Sequence, residues 1–215
     1  VAGYDVPRLI AGSLGTLGVV LEVSLKVLPL PVAEKSLRFA LDEAAALRRL
    51  NQWGGRPLPI SASAWHDGIL TLRLSGAAAA VASAQRTLAG EVLEDAEAAA
   101  FWSSLREQTH AFFAGDAPLW RLSLPSVAPS QALGPTLIEW GGAQRWLRAD
   151  DATAIRAAAT QAGGHATLFR ADDALKTAVG VFQPLTEPLA RIHRNLKRAF
   201  DPQAVFNPGR LYPGL

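Results

Sequence analysis

A glycine-rich segment near the start of the chain has the clearest pattern for ligand chemistry. Gly12, Gly15 and Gly18 recur at every third position, and Ser13 and Thr16 lie between them. Glycine lets the backbone approach a ligand where a Cβ atom would collide, and it leaves N–H groups free to point at phosphate or carbonyl oxygens. The spacing differs from the GxGxxG fingerprint of dinucleotide-binding folds. A tight turn that leads into a core strand is therefore the alternative interpretation.

The other residue types that perform chemistry do not form a recognisable site in the sequence. No two of the four histidines lie at a metal-ligand spacing from each other. They are His66, His110, His165 and His193. The chain has no cysteine, which excludes disulfides, thiolate metal sites and a cysteine nucleophile. No GxSxG nucleophile elbow occurs either. We therefore predict no metal site and leave the catalytic residues unknown.

The glycines lead into an apolar run that predicts a strand over residues 19–28. Val19, Leu21 and Val23 alternate with Val20 and Glu22, which is typical of a strand that is first fully buried and later half-buried. Two prolines at positions 29 and 31 end this strand, because proline cannot donate to a sheet ladder. We place a domain boundary after residue 31.

The next stretch predicts an antiparallel α+β unit. A strand around residues 37–41 is followed by a helix capped by Asp42, a hairpin that turns at Asp67-Gly68, a second helix capped by Ser75, and a short strand at 91–94. This β-α-β-β-α-β order is that of a ferredoxin-like unit.

The same order is repeated in a weaker form after a linking helix from Ala96 to about His110. Strands are predicted near residues 120–124, 136–140, 144–149 and 166–170, and the proline-rich stretch 125–135 leaves room for at most one helical turn. We expect the two copies to pair into one large antiparallel sheet with its helices on one face. The predicted fold class is α+β.

A final helix is predicted from Thr186, and a tail follows it. The positions expected to be buried are Leu189, Ile192, Leu196 and Ala199, and the basic ones are Arg191, Arg194, Lys197 and Arg198. The basic face indicates either a solvated surface or a docking site for a partner or for phosphate groups. In the tail, Asn207-Pro208-Gly209 has the composition of a turn.

Both ends of the chain resemble the vanillyl-alcohol oxidase and p-cresol methylhydroxylase (PCMH) family of FAD-linked oxidases. The family pattern GS-x-GT-x-G is met by Gly12, Ser13, Gly15, Thr16 and Gly18, and FNPG at 206–209 resembles its C-terminal signature. The resemblance implies that these five residues line a bound FAD. It also implies that Asn207 lies on the flavin side of a tail that returns to the flavin domain, with Arg210 as a weaker candidate.

The resemblance implies a domain arrangement as well. Residues 1–31 would be the C-terminal remnant of a PCMH-type FAD-binding domain, 32–185 a ferredoxin-like, duplicated antiparallel α+β cap domain, and 186–215 the helix and tail that return toward the FAD domain. Because the sequence begins with valine inside a motif and contains no methionine, we expect an N-terminally truncated piece of a longer protein. FAD is then expected in the longer parent and absent or weakly bound in this chain, which alone would be inactive.

The branch of the family that oxidises small 2-hydroxy acids, such as glycolate to glyoxylate, shows the closest resemblance. It implies an FAD-binding subunit, accessory or substrate-oxidising, that works beside a second FAD-binding oxidase subunit and an iron–sulfur subunit. Catalytic relatives in this branch carry a longer glycine, histidine and aspartate motif where this chain reads GGHATLFRA, so His165 remains a weak candidate for lining a pocket. A cytoplasmic location, peripheral at the inner membrane through the complex, would follow.

Composition limits the alternative functions. The chain has 215 residues and a net charge of +2, and its predicted strands lack a run of exposed aromatic residues, so dedicated nucleic-acid binding is disfavoured. A non-catalytic α+β module without flavin, which docks a partner through its alanine-rich and basic helices, is the alternative to the flavoprotein subunit.

Overall fold

A computed structural model describes Gly3 and residues 5–215 and divides them into two compact units. One unit contains the residues up to Leu28 together with Gly180–Leu215, and the other is Pro29–Val179. The sequence prediction placed these boundaries after residues 31 and 185. Each unit is described below by itself.

The helices and strands follow one another with short connections. In chain order, the helices are α1 (Val6–Ile10), α2 (Glu43–Gly54), α3 (Ala78–Leu88), α4 (Asp95–Arg106), α5 (Ala152–Gln161), α6 (Asp173–Val179) and α7 (Glu187–Phe200). The strands are β1 (Ala33–Ala40), β2 (Ile60–His66), β3 (Ile69–Gly76), β4 (Glu91–Val92), β5 (Leu119–Ser123), β6 (Thr136–Glu139), β7 (Gln144–Arg148) and β8 (His165–Arg170).

All eight strands form one antiparallel sheet in the unit Pro29–Val179, which places this unit in the α+β class. The strand order is β4-β1-β3-β2-β6-β7-β5-β8, so the second half repeats the order of the first half in mirror image. The halves join where β2 pairs with β6, with Trp65 opposite Ile138. The prediction of one large antiparallel sheet is confirmed.

Helix α2 has the predicted cap and a single buried face. The Asp42 carboxylate accepts a 2.6 Å hydrogen bond from the Ala45 amide and caps the helix. The four buried positions of the helix are Ala46, Leu47, Leu50 and Trp53. They pack in one apolar cluster with Leu70 and Leu72 of β3, so a single face of the helix covers the sheet.

Three details of the sheet unit differ from the prediction. Ser75 does not cap α3, because it lies inside β3 and donates to the Glu34 carboxylate. Helix α4 ends at Arg106 rather than near His110, since Gln108 adopts a positive φ of 55° that an α-helix cannot accommodate. Helix α6 was not predicted.

Helices do not cover only one face of the sheet, as we had expected. Helix α4 lies on the face opposite α3, because Ser36, whose hydroxyl accepts from Trp102 of α4, precedes Leu37, which packs against α3. An apolar cluster on this second face includes Leu105, Phe112, Phe113, Leu137 and Trp146. Large apolar side chains therefore alternate onto both faces, and each face needs its own cover.

The strand predicted over residues 19–28 is wrong for the described structure. This segment has no regular secondary structure and no neighbouring strand among the described residues. Leu21 is 94% exposed, and Leu25 and Val27 are each 80% exposed. A strand depends on an adjacent backbone for its hydrogen bonds, so strand-like alternation alone does not produce one.

The burial predicted for α7 is also wrong at three of four positions. Leu189 and Ile192 are 48% and 58% exposed, Ala199 is exposed and Leu196 is half-buried. The buried residue of this helix is Lys197, which the sequence had placed on the basic surface. No helix in the described part of the chain is long and apolar enough to cross a membrane.

Candidate functional site

The glycine-rich segment forms a compact loop directly after α1. The Ser13 amide donates to the Ile10 carbonyl at 3.0 Å, and the Thr16 amide donates to the Ser13 carbonyl at 3.0 Å. Leu14 and Gly15 have positive φ values of 51° and 73° in succession. Glycine at position 15 adopts this conformation without the steric cost that other residues incur. The sequence therefore encodes a tight reversal of the backbone at this loop.

The tail after α7 reaches this loop, and Asn207 makes the contact. Its side-chain Nδ2 donates a 2.9 Å hydrogen bond to the Leu14 carbonyl oxygen. A Cβ atom added at Gly15 would lie 2.8 Å from the same Nδ2, so only glycine leaves room for the amide. The geometry thus brings two distant parts of the sequence side by side within one unit.

A pocket of about 420 Å³ opens where the loop and the tail meet. Its lining residues are Ile10, Ser13, Leu14, Gly15, Gly18, Val19, Val20, Phe206 and Asn207. None of them carries a charge. The Ser13 hydroxyl has no hydrogen-bond partner in the described part of the chain, so it is available to a ligand. Open space lies beside Gly18, where a Cβ would meet no atom within 4 Å.

The structure brings four of the six predicted cofactor residues to this pocket. These are Ser13, Gly15, Gly18 and Asn207. Gly12 and Thr16 do not line it, and the Thr16 hydroxyl is used inside the loop, where it donates to the Ser13 carbonyl at 2.8 Å. The assignment of all six residues to a flavin stays a prediction.

Sequence reasoning missed the buried ion pair that lies beneath the loop. Lys197 Nζ donates to the Asp201 carboxylate at 2.6 Å, to the Thr16 carbonyl at 2.8 Å and to the Phe206 carbonyl at 2.6 Å. Burial opposes the ionisation of Asp201, but hydrogen bonds from Lys197, Phe206 and Val205 outweigh it and lower the pKa of Asp201 below its usual 3.8. The only local signal was the i, i+4 spacing of lysine and aspartate at the end of a helix.

The tail also packs on α7 through aromatic rings. The Tyr212 ring lies 5.9 Å from the His193 ring in an edge-on arrangement and 5.8 Å from the Phe182 ring. Burial raises the pKa of the Tyr212 hydroxyl above its usual value of 10.0. Arg210 is exposed and lines no part of the pocket.

His165 does not join this pocket. It is exposed at the start of β8, in the other unit, and pairs across the sheet with Ser123 of β5. The glycine before it has a packing explanation, because a Cβ at Gly164 would lie 2.1 Å from the Ser123 carbonyl oxygen. No cluster of three or more potential metal ligands occurs within the described residues.

A larger cleft of about 960 Å³ in the sheet unit is lined by residues of α2, α4 and β2, among others. Trp53, Trp102 and Trp140 are among its lining residues, with the Arg73 guanidinium 5.4 Å above the Trp102 ring. None of the predicted cofactor residues lines this cleft. We therefore assign the candidate cofactor site to the smaller pocket, where loop and tail converge.

Comparison with known proteins agrees with the resemblance. No protein-family model matches the chain. Over 218 aligned residues it is 47% identical to the glycolate oxidase subunit GlcE of Escherichia coli (strain K12), and the alignment covers 100% of this chain and 59% of that protein. The chain thus spans less than two thirds of the length of this curated relative. The match confirms the resemblance to a glycolate oxidase subunit.

Proposed function

We propose that this chain forms part of the FAD-binding subunit of a glycolate oxidase-like complex, which oxidises glycolate to glyoxylate. The observation that carries the proposal is the 47% identity to the glycolate oxidase subunit GlcE along the whole chain. This identity does not favour the alternative of an interaction module without flavin. The second FAD-binding oxidase subunit, the iron–sulfur subunit and a cytoplasmic site at the inner membrane belong to the same proposal.

The strand order supports the proposed fold assignment. Each half of the sheet has the order 4-1-3-2 of a ferredoxin-like unit, and the duplicated sheet would be the cap domain of a PCMH-type oxidase. The glycine loop, α7 and the tail would then belong to the FAD-binding domain. We therefore attribute FAD binding to the unit that contains the loop.

The pocket residues suit the ring system of FAD better than its pyrophosphate. A pyrophosphate site normally supplies cationic side chains or a helix N-terminus, whereas the lining here is neutral and largely apolar. Leu14, Val19 and Phe206 would contact the faces of a flavin ring, while the Ser13 hydroxyl and the Asn207 amide would bind its polar edge. A volume of about 420 Å³ accommodates part of FAD, so other walls of the site must lie elsewhere.

The chemistry of the reaction comes from the cofactor. FAD, when bound, accepts the two electrons removed from the alcohol carbon of a 2-hydroxy acid. The residues of this chain would bind and orient the ring, and the apolar lining would exclude water from it. We assign no proton transfer to any side chain.

Cofactor binding can be tested on the 215-residue chain by NMR. In a titration of ¹⁵N-labelled protein with FAD, the amide signals of Gly15 and Gly18 are expected to shift, and those of Gly55 and Gly68 in the sheet unit to stay unchanged. NMR detects even millimolar affinity, so weak binding does not hide the result. Unchanged loop signals at saturating FAD would contradict the cofactor proposal for this chain.

The glycolate activity can be tested with a chimera. The aligned part of the E. coli relative is replaced by this chain, and glycolate-dependent dye reduction is measured in a strain that lacks that subunit. Restored activity is expected, and a chimera carrying Gly18→Trp, which fills the open space beside the loop, is expected to lose it. A stable, assembled chimera without activity would reject the functional proposal.

A further inference from the structure

Lys197 is the charged residue that links the two walls of the candidate pocket. Its side chain is 9% exposed and that of its partner Asp201 is 3% exposed. A lysine ammonium has three N–H donors, and here all three are used, on the Asp201 carboxylate and on the carbonyls of Thr16 and Phe206. The ammonium is therefore fully satisfied, although it is buried.

The three acceptors belong to three different segments of the chain. Thr16 lies in the glycine loop, Asp201 at the end of α7, and Phe206 in the tail directly before Asn207. Asp201 binds the tail a second time, because its carboxylate accepts from the amides of Val205 at 3.0 Å and Phe206 at 2.8 Å. One ion pair thus sets the positions of loop and tail relative to each other.

Stabilisation of the fold alone is a weak explanation for burying Lys197 and Asp201. Burying two charges costs desolvation, and apolar replacements of buried ion pairs are often neutral or stabilising. A buried ion pair can instead fix the geometry of the groups around it, and this one lies directly beneath the loop. Apart from it, the Asn207 contact to Leu14 is the other described hydrogen bond that joins loop and tail.

We propose that Lys197 is the positioning residue of the candidate pocket: its ammonium holds the Thr16 carbonyl of the glycine loop and the Phe206 carbonyl of the tail at the separation that a bound cofactor requires. The inference rests on the proposed function only in naming FAD as that cofactor. It predicts that loss of the ammonium loosens the loop and the tail together and weakens binding at the pocket.

The double variant Lys197→Met/Asp201→Asn tests this proposal. The single change Lys197→Met would leave a buried carboxylate without its counter-charge and would destabilise the fold. The double change removes both charges, and the carboxamide oxygen introduced at position 201 can still accept from a tail amide. The matched control is Lys176→Met/Asp173→Asn, which removes an exposed lysine–aspartate pair of 3.2 Å in α6.

Hydrogen exchange measured by mass spectrometry reports on the position of the loop without any cofactor. In the double variant, amide exchange in residues 14–19 and 205–208 is expected to rise about tenfold, the size expected for loss of hydrogen bonds to a charged group. The control is expected to match wild type. A variant Lys197→Gln/Asp201→Asn, whose amide can still donate to one of the two carbonyls, is expected to be intermediate and serves if the methionine variant does not fold.

FAD titration by NMR completes the test. If the wild type binds FAD, the double variant is expected to bind it about tenfold more weakly than the wild type does. Folded variants with wild-type exchange in both segments would overturn the proposal, as would raised exchange with unchanged FAD affinity. If the wild type itself shows no FAD-dependent shift, the proposed cofactor is rejected, and the exchange measurement alone decides whether Lys197 positions the loop.

Discussion

The side-chain amide of Asn207 donates a 2.9 Å hydrogen bond to the carbonyl oxygen of Leu14, although 193 positions separate the two residues in sequence. The contact depends on Gly15, whose missing Cβ leaves the space that the amide occupies. Loop and tail therefore form one feature, and the consequences of changing either residue depend on the other.

A double-mutant cycle between Gly15→Ala and Asn207→Ala tests this dependence. The first change is expected to reduce the local opening free energy by about 1–2 kcal/mol, because alanine is strained at a φ of 73° and its Cβ meets Asn207 Nδ2. The second is expected to cost about 1 kcal/mol for a lost hydrogen bond. Introduced into the Asn207→Ala variant, Gly15→Ala should cost less free energy than it does in the wild type, since the colliding amide is gone.

Hydrogen exchange of the loop is the suitable measurement for this cycle. All six tryptophans, at positions 53, 65, 102, 120, 140 and 146, lie in the sheet unit, so tryptophan fluorescence does not report on the loop. Gly12→Ala, at a positive φ of 83° with open space around the new Cβ, is the matched control for backbone strain without the collision. Strictly additive costs for Gly15 and Asn207 would show that the two residues do not interact.

The neutral lining of the pocket predicts which part of FAD it recognises. Riboflavin is expected to shift the amide signals of Gly15 and Gly18, and ADP is expected to leave them in place. The purified chain is expected to be colourless, because a pocket of this size holds only part of the cofactor. ADP-dependent shifts without riboflavin-dependent ones would assign the loop to the pyrophosphate instead.

Local periodicity was a good guide to the sheet unit. The hairpin that turns at Asp67-Gly68 and the Asp42 cap of α2 each depend on residues that are close in sequence. The juxtaposition of the glycine loop and Asn207 came from family resemblance, because nothing local connects residues 15 and 207. The sheet's second covered face was missed, since alternation does not reveal whether a helix also covers the other side.

The errors in the first unit have a different physical cause. Apolar residues at 19–28 and on α7 were assumed to be buried, but a pattern shows only that a segment can pack and not what it packs against. Lys197 was assumed to be exposed, as most lysines are. Its burial depends on Asp201 and on two carbonyls from distant segments, which no periodicity encodes.

Arg145 is expected to be a major contributor to the stability of the sheet unit. It is 1% exposed, and its guanidinium donates to the carbonyls of Gly142, Pro129 and Ala128. Arg145→Met would leave these acceptors unsatisfied, so we expect a loss of about 2–4 kcal/mol in the free energy of unfolding. Urea unfolding followed by tryptophan fluorescence measures this loss.

The control for this prediction is Arg48→Met on the exposed side of α2, where the expected change is within about 0.5 kcal/mol. A similarly small change for Arg145→Met would mean that the loop at residues 128–129 is held by other contacts.

His110 predicts a pH dependence for the sheet unit. Its Nδ1 accepts a 3.2 Å hydrogen bond from the Phe112 amide, which requires the neutral imidazole, and the His66 ring lies 5.5 Å away. Burial, and secondarily the nearby His66, lower the pKa of His110 below its usual 6.5. Because the unfolded chain then takes up the proton first, the stabilising contribution is complete above pH 6.5 and is lost as the pH falls through the folded-state pKa.

Urea unfolding between about pH 7.5 and 5.5 tests this sign. The wild type should become progressively less stable below pH 6.5, and His110→Asn should show a flatter profile, since asparagine can accept from the Phe112 amide without titrating. His165→Asn, at the exposed start of β8, is the matched control for the substitution itself. An unchanged slope in His110→Asn would show that the pH dependence does not come from the neutral imidazole that caps Phe112.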